Sequence, residues 1–207
     1  MTDIDHLADK LAIRELVDQW IIASDSGLWP LFDEVWHDDG VMAATWFQAS
    51  AADFAAARRK GFDNGVSIIH ANLGHISTIR GTRAIAQTKM TISQRAPVHG
   101  VVVDVTATGR FYDFLEKRDG RWGMVRRQPI YEKDRMDPVE PGASVTLDLA
   151  LLAKFPVGYR HLGYLQTQAG FKVKEQGMPG LTGPEVERLY QQGEAWLAGT
   201  GNAGRVE

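Results

Sequence analysis

Ala12-Ile13-Arg14-Glu15-Leu16-Val17-Asp18-Gln19-Trp20-Ile21-Ile22-Ala23-Ser24-Asp25 is the stretch on which the reading of this chain turns. Ile13, Leu16, Val17, Trp20 and Ile21 fall at i, i+3, i+4, i+7 and i+8, the apolar stripe of a helix with one buried face. Asp25 stands four residues past Ile21 and continues that stripe, while Arg14, Glu15, Asp18 and Gln19 take the wet side. A carboxylate on a buried face needs a partner, because burying it alone costs several kcal/mol or shifts its pKa. The competing reading is that Asp25 caps the next helix, since Ser24-Asp25-Ser26-Gly27 is rich in capping residues.

Outward from this helix, which spans about residues 5–24, the chain changes character once. A short helix is expected over 28–36, with Pro30 in its first turn, then a break at His37-Asp38-Asp39-Gly40 and a short strand at 41–46. An alanine-rich helix follows at 49–63, capped by Ser50 and ended by Asn64-Gly65. Stretches 66–79, 84–93, 98–116 and 122–131 are then rich in β-branched and aromatic residues. Breaks at Arg80-Gly81-Thr82, at 94–97 and at Arg118-Asp119-Gly120-Arg121 separate them, and Asp119-Gly120 is the strongest hairpin signal. Helices followed by a strand meander make an α+β fold with helices over one face of a curved antiparallel sheet. Beyond Pro138 the pattern is helical again, at 144–154, 156–170 and 183–198. Two units are therefore expected: 1–138 as the α+β body and 139–207 as a helical extension packing on it or on a neighbouring subunit.

Composition narrows the function. The 207 residues carry a net charge of −3 and no block of like charge, so nothing points to nucleic acid or a membrane surface. There is no cysteine, hence no disulfide framework, thiolate nucleophile or zinc–cysteine site. The acidic N-terminus has no apolar signal run, and no stretch approaches the roughly 20 apolar residues of a membrane span, so a cytoplasmic location is expected. Glycine-rich phosphate loops, dinucleotide fingerprints, a Gly-x-Ser-x-Gly elbow and histidine–glutamate metal motifs are missing from the sequence, so neither cofactor nor metal is expected.

Of six histidines, His6 and His37 sit in polar company and His161 in the tail reads as structural. His70 follows Val66-Ser67-Ile68-Ile69 in the first long strand, and alternation puts Ile68, His70 and Asn72 on one face. It is an economical partner for Asp25, which would orient one ring nitrogen and leave the other as a general base. His75 points to the opposite face by simple alternation, and His99 opens the third strand near a pocket mouth. Arg126 and Arg127 are adjacent in a strand, so one faces the helices and one faces away; the inward one can stabilise developing negative charge or form a salt bridge to a helix.

The helix ending in Asp25, the Ile69-His70-Ala71-Asn72 strand, the turn at Gly81 and the Arg118-Asp119-Gly120-Arg121-Trp122 hairpin together resemble the SnoaL-like branch of the nuclear transport factor 2-like superfamily, over roughly residues 1–138. That resemblance implies a cone-shaped α+β barrel enclosing a pocket, and the activities of dehydratases, polyketide cyclases and a hexachlorocyclohexane dehydrochlorinase. It places the catalytic aspartate at Asp25, the catalytic histidine at His70 and a pocket arginine at Arg127. The implied function is a cofactor-independent lyase in which His70 removes a proton and water, halide or formaldehyde departs. Trp20, Trp29, Trp46, Phe54, His99 and Phe111 are the expected contacts to a small ring-bearing substrate, and a homo-oligomer (dimer or trimer) is expected. An isomerase or cyclase using the same base, or a non-catalytic ligand-binding domain, are the alternatives. Trp20 stands where some relatives carry a polar or basic residue, and the tail is longer than in the familiar members.

Overall fold

The computed structural model describes residues 3–203; Met1, Thr2 and residues 204–207, at the outer ends of the two expected units, lie outside them. Helix α1 runs Asp3–Ser26, α2 Trp29–Glu34 and α3 Ala51–Asp63, with strands β1 (Trp36–Ala43) and β2 (Gln48–Ser50) between the last two. Then come β3 (Ser67–Arg80), β4 (Arg83–Val98), β5 (Val101–Arg118) and β6 (Arg121–Pro138). The tail holds α4 (Leu149–Leu152), a 3-10 turn at Val157–Tyr159, α5 (Arg160–Gln168) and α6 (Pro184–Leu197). The strands form one curved, unclosed sheet in the order β2-β1-β6-β5-β4-β3, antiparallel throughout except that β1 runs parallel to β6. None of the described helices is long and apolar enough to cross a membrane.

The α+β plan, the long first helix, the Ser50 cap and the Asp119-Gly120 hairpin stand as read. Ser50 accepts the Asp53 N–H, and Asp119 and Gly120 both have positive φ (50° and 81°), as a two-residue type I′ loop requires. Several boundaries differ: β6, expected to end at 131, runs on to Pro138, and three others change the reading. The second helix stops at Glu34, because Trp36-His37-Asp38-Asp39-Gly40 extends beside β6, with a bulge between Trp36 and Val41. Segment 94–97 is not a break: β4 continues to Val98, and the turn is His99-Gly100, again with both φ positive (50° and 84°). Pro97 hid this, although it sits opposite Val102 at the strand end, where one missing N–H is tolerated. In the tail, only 149–152 of the expected 144–154 is helical, started by the Asp148 carboxylate accepting the N–H groups of Ala150 and Leu151.

The inner face of the sheet packs against α1, α2, α3 and α5. Ile13, Val17, Trp20 and Ile21 of α1 are buried there, whereas Leu7 and Leu11 are largely exposed. Each large side chain removed from water in this layer contributes about 1.5–3 kcal/mol. The outer face carries a second core, with Ile85, Tyr112, Phe114, Val125 and Ile130 under Val186, Leu189 and Trp196 of α6. Alternation explains how one strand feeds both, since Phe111 and Leu115 point inward while Tyr112 and Phe114 point outward. The α6 contact is so close that a Cβ on Gly193 would lie 1.9 Å from the Tyr112 hydroxyl. Burial under that helix pushes the Tyr112 phenol far above its usual range.

Candidate active site

Asp25 sits in the last turn of α1, which lies against β3. Its Oδ2 accepts the His70 backbone N–H at 2.6 Å, and its Oδ1 lies 2.8 Å from His70 Nδ1. Two turns earlier Asp18 accepts from Asn72 Nδ2 at 2.6 Å, so two carboxylates tie α1 to alternate residues of β3. Asp18 is thus not simply a wet-side residue. The capping reading of Asp25 fails, because Leu28 is the N-cap of α2 and no side chain bonds there.

A carboxylate only accepts, so the proton on His70 is on Nδ1 and Nε2 carries the lone pair. Nε2 bonds to no described residue. Burial pushes the His70 pKa below its ordinary value; Asp25 pulls it back up, and Arg58 and Arg127 add to the lowering. The ring is therefore neutral at neutral pH.

His70 faces a cavity of about 40 Å³. Trp20, Trp46, Phe54, Phe111 and Tyr131 form its aromatic walls, and Arg58, Gln94 and Gln166 its remaining polar surface. Trp20 stands edge-on to the His70 ring at 5.2 Å and stacks on Phe54 at 6.2 Å. A second lobe of about 20 Å³ shares Trp46, Arg58, Ile68, Gln94 and Gln166 with the first and adds Phe171. The larger open groove of about 800 Å³ between α1 and the β5–β6 hairpin contains neither Asp25 nor His70.

The structure thus brings Asp25, His70, Trp20, Trp46, Phe54 and Phe111 together. It does not bring Trp29, which opens α2 and packs on Phe32 and Phe62 outside the cavity. Nor does it bring His99, held in the β4–β5 turn by a 2.6 Å contact between Nε2 and the Tyr164 hydroxyl. Arg127 is the inward arginine, but it lies one layer behind the cavity. Its guanidinium is clamped between the Trp20 and Phe111 rings at 4.4 and 4.1 Å. It forks to Asp113 directly across the ladder at 2.7 and 2.8 Å, with both side chains fully buried. Arg126 points the other way, bonding Gln192 and the Ala203 carbonyl beneath α6. A bulge between Asn72 and His75 cancels simple alternation, so His75 also faces inward, where Nδ1 lies 2.8 Å from Thr88 Oγ1.

Several cavity residues were not singled out from the sequence, Tyr131, Arg58, Gln94, Leu162 and Gln166 among them. Arg58 is only 4% exposed, bonds Ser24 Oγ through Nε and Nη2 (3.3 and 3.2 Å), and lies 3.9 Å from Asp25 Oδ1. Its signal is the spacing Ala51, Phe54, Ala55, Arg58, the buried stripe of α3. Gln94 continues the inward alternation of Met90 and Ile92. Leu162 and Gln166 come from α5, so the tail closes the cavity of its own chain.

Comparison with known proteins agrees with this architecture. The SnoaL-like domain family matches residues 5–128. "Pea pathogenicity protein 2" of Fusarium vanettenii is 36% identical over 94% of this chain and 88% of its own, and an uncharacterized protein of Emericella nidulans is 36% identical over 92% and 87%. Among solved structures, a type 2 hexachlorocyclohexane dehydrochlorinase (LinA) superposes with a TM-score of 0.58 at 14% identity, over 70% of this chain and 98% of its own. A putative scytalone dehydratase from Novosphingobium aromaticivorans gives 0.56 at 18%, over 70% and 100%. At these identities the two structures are likenesses of fold.

Proposed function

Because the chain belongs to the SnoaL-like domain family, a fold built around a small-molecule cavity, we propose that it is a cofactor-independent lyase acting on a small ring-bearing substrate by general-base elimination. One observation carries this reading: a buried, neutral imidazole, oriented through Nδ1 by a carboxylate, presents an unbonded Nε2 to an aromatic cavity. Such a base contributes about 10²–10⁴-fold to rate when placed within reach of the proton.

His70 Nε2 takes a proton from a substrate carbon. Asp25 holds the ring in place and stabilises the imidazolium that forms. The C–H electron pair becomes the new double bond as the leaving group departs with the carbon–oxygen pair. When that group is hydroxide, it takes the proton back from Nε2 and leaves as water, restoring the neutral base. For loss of formaldehyde, His70 instead takes the proton of a terminal hydroxyl, the O–H pair becomes the formaldehyde C=O, and the carbon–carbon pair stays on the ring-bearing carbon, which takes the proton back from Nε2. Arg58, at the cavity surface, sets a positive charge 3.9 Å from the Asp25 carboxylate; Arg127 with Asp113 braces the Trp20–Phe111 wall from behind.

The test is a mass-spectrometric screen of aromatic alcohols and diols against the wild-type chain and His70→Ala. A product lighter by water or by formaldehyde, formed by the wild type alone, supports the reading. A product of unchanged mass would move the assignment to isomerisation, and equal turnover by both proteins would end it.

A further inference from the structure

The polar groups of the cavity are not balanced between donors and acceptors. The Gln166 Oε1 accepts from the Thr45 hydroxyl at 2.8 Å, and the Gln94 Oε1 accepts from Gln166 Nε2 at 3.5 Å. Both amide oxygens are therefore engaged by the protein. What is left facing the cavity donates: the Gln94 NH2 bonds to no described residue, one hydrogen of the Gln166 NH2 is unused, and Arg58 uses only Nε and Nη2 on Ser24. These side chains are 3–4% exposed and line both lobes, whereas His70 lines only the first. His70 Nε2 is the acceptor at one end, and a cluster of donors stands at the other.

We infer that Arg58, Gln94 and Gln166 form a subsite for a hydrogen-bond-accepting carbonyl oxygen, and that the substrate is an uncharged ring-bearing aldehyde or ketone. Leaving buried donors unpaired costs about as much as the hydrogen bonds they could make, so an occupant that only accepts is selected over one that offers a methyl group. Charge counting chooses between a carbonyl and a carboxylate. Arg58 and Asp25 are 3.9 Å apart and cancel, and His70 is neutral, so an anionic ligand would add an uncompensated charge to a buried site. A carbonyl held here also acidifies the neighbouring carbon, which is what a neutral imidazole needs. This assignment rests on the base reading of His70 and adds the substrate class to it.

Fluorine NMR titration tests it with three probes of similar size: 4-fluoroacetophenone, 1-ethyl-4-fluorobenzene and 4-fluorobenzoate. The wild type should bind the ketone about tenfold more tightly than the hydrocarbon, the value of one net hydrogen bond. Gln94→Met keeps the volume and removes the amide, so it should cut that preference to about threefold or less while leaving hydrocarbon affinity within about twofold. Arg58→Met is the second variant and should act in the same direction. His70→Ala should keep the full preference, since the base does not touch the oxygen. A preference retained there alongside unchanged turnover would sink the base and spare the subsite. Equal binding of ketone and hydrocarbon by the wild type, tighter binding of the benzoate, a preference surviving in both Gln94→Met and Arg58→Met, or no binding of any probe up to its solubility would each overturn the subsite.

Discussion

Two carboxylates in this molecule hold a histidine in nearly the same way. Asp25 spans the N–H and Nδ1 of His70 at 2.6 and 2.8 Å; Asp134 spans the Leu162 N–H and His161 Nδ1 at 2.8 and 2.9 Å. Their surroundings separate them. The His70 side chain is 8% exposed and opens on an aromatic cavity, whereas that of His161 is 28% exposed in the first turn of α5. Asp134 reaches across from β6, so it satisfies an orphan N–H at the start of α5 and docks that helix on the sheet. The same pair of hydrogen bonds therefore leaves a ring nitrogen facing a cavity in one place and clamps a helix in the other. What the free ring nitrogen faces decides between them, which a sequence motif alone does not encode.

The contrast can be broken by mutation. The largest effect is expected at His70: alanine there should lower turnover by about 10³-fold. Asp25 would keep the residue-70 backbone N–H and Arg58, so thermal unfolding should show the fold retained. Next, Asp25→Asn should lower kcat by about 10²-fold, because the amide no longer fixes the tautomer or stabilises the imidazolium. The pH profile is third. The base form of His70 is lost as pH falls through a pKa lying below 6.5, so kcat/KM should be flat at neutral pH and then fall about tenfold per unit on the acid side. The same shift bears on stability. The unfolded chain binds this proton more readily than the folded one, so the His70 contribution is complete above pH 6.5 and is lost as pH drops through the folded-state pKa. Denaturant titrations on both sides of that value check it. Asp134→Asn, fourth, should cost about 1–2 kcal/mol of stability while kcat changes less than about threefold. His161→Ala should be mildest, about 0.5–1 kcal/mol with kcat unchanged. A large kcat loss in His161→Ala would erase the distinction.

How much of this was legible follows from which interactions are local. The α1 stripe, the Ser50 cap and the Asp119-Gly120 turn depend on neighbours within a few residues, so period and turn chemistry expose them. The Asp25–His70 contact was readable because two polar residues each interrupted an apolar face. Alternation turned one of Arg126 and Arg127 inward without saying which, and nothing near Arg127 in sequence shows that Asp113 and two aromatic rings already consume its charge. The Asn72–His75 bulge shifts every later residue of β3 to the other face, and a bulge leaves little trace in composition. His99-Gly100 went unread because Pro97, two residues before it, reads as the break. Gln166 lies 72 residues beyond Gln94; only packing of α5 across the sheet brings the two amides together.

That packing has a consequence for how the protein can change. The family match ends at residue 128, yet Leu162 and Gln166 wall the cavity from beyond it. The residues that pair Asp25 with His70 and some of those that shape the cavity are thus written in separate stretches of chain. Substitutions along α5 can therefore change the shape of the cavity without disturbing the Asp25–His70 hydrogen bond, so a lineage can edit the one in the tail while the other is inherited intact.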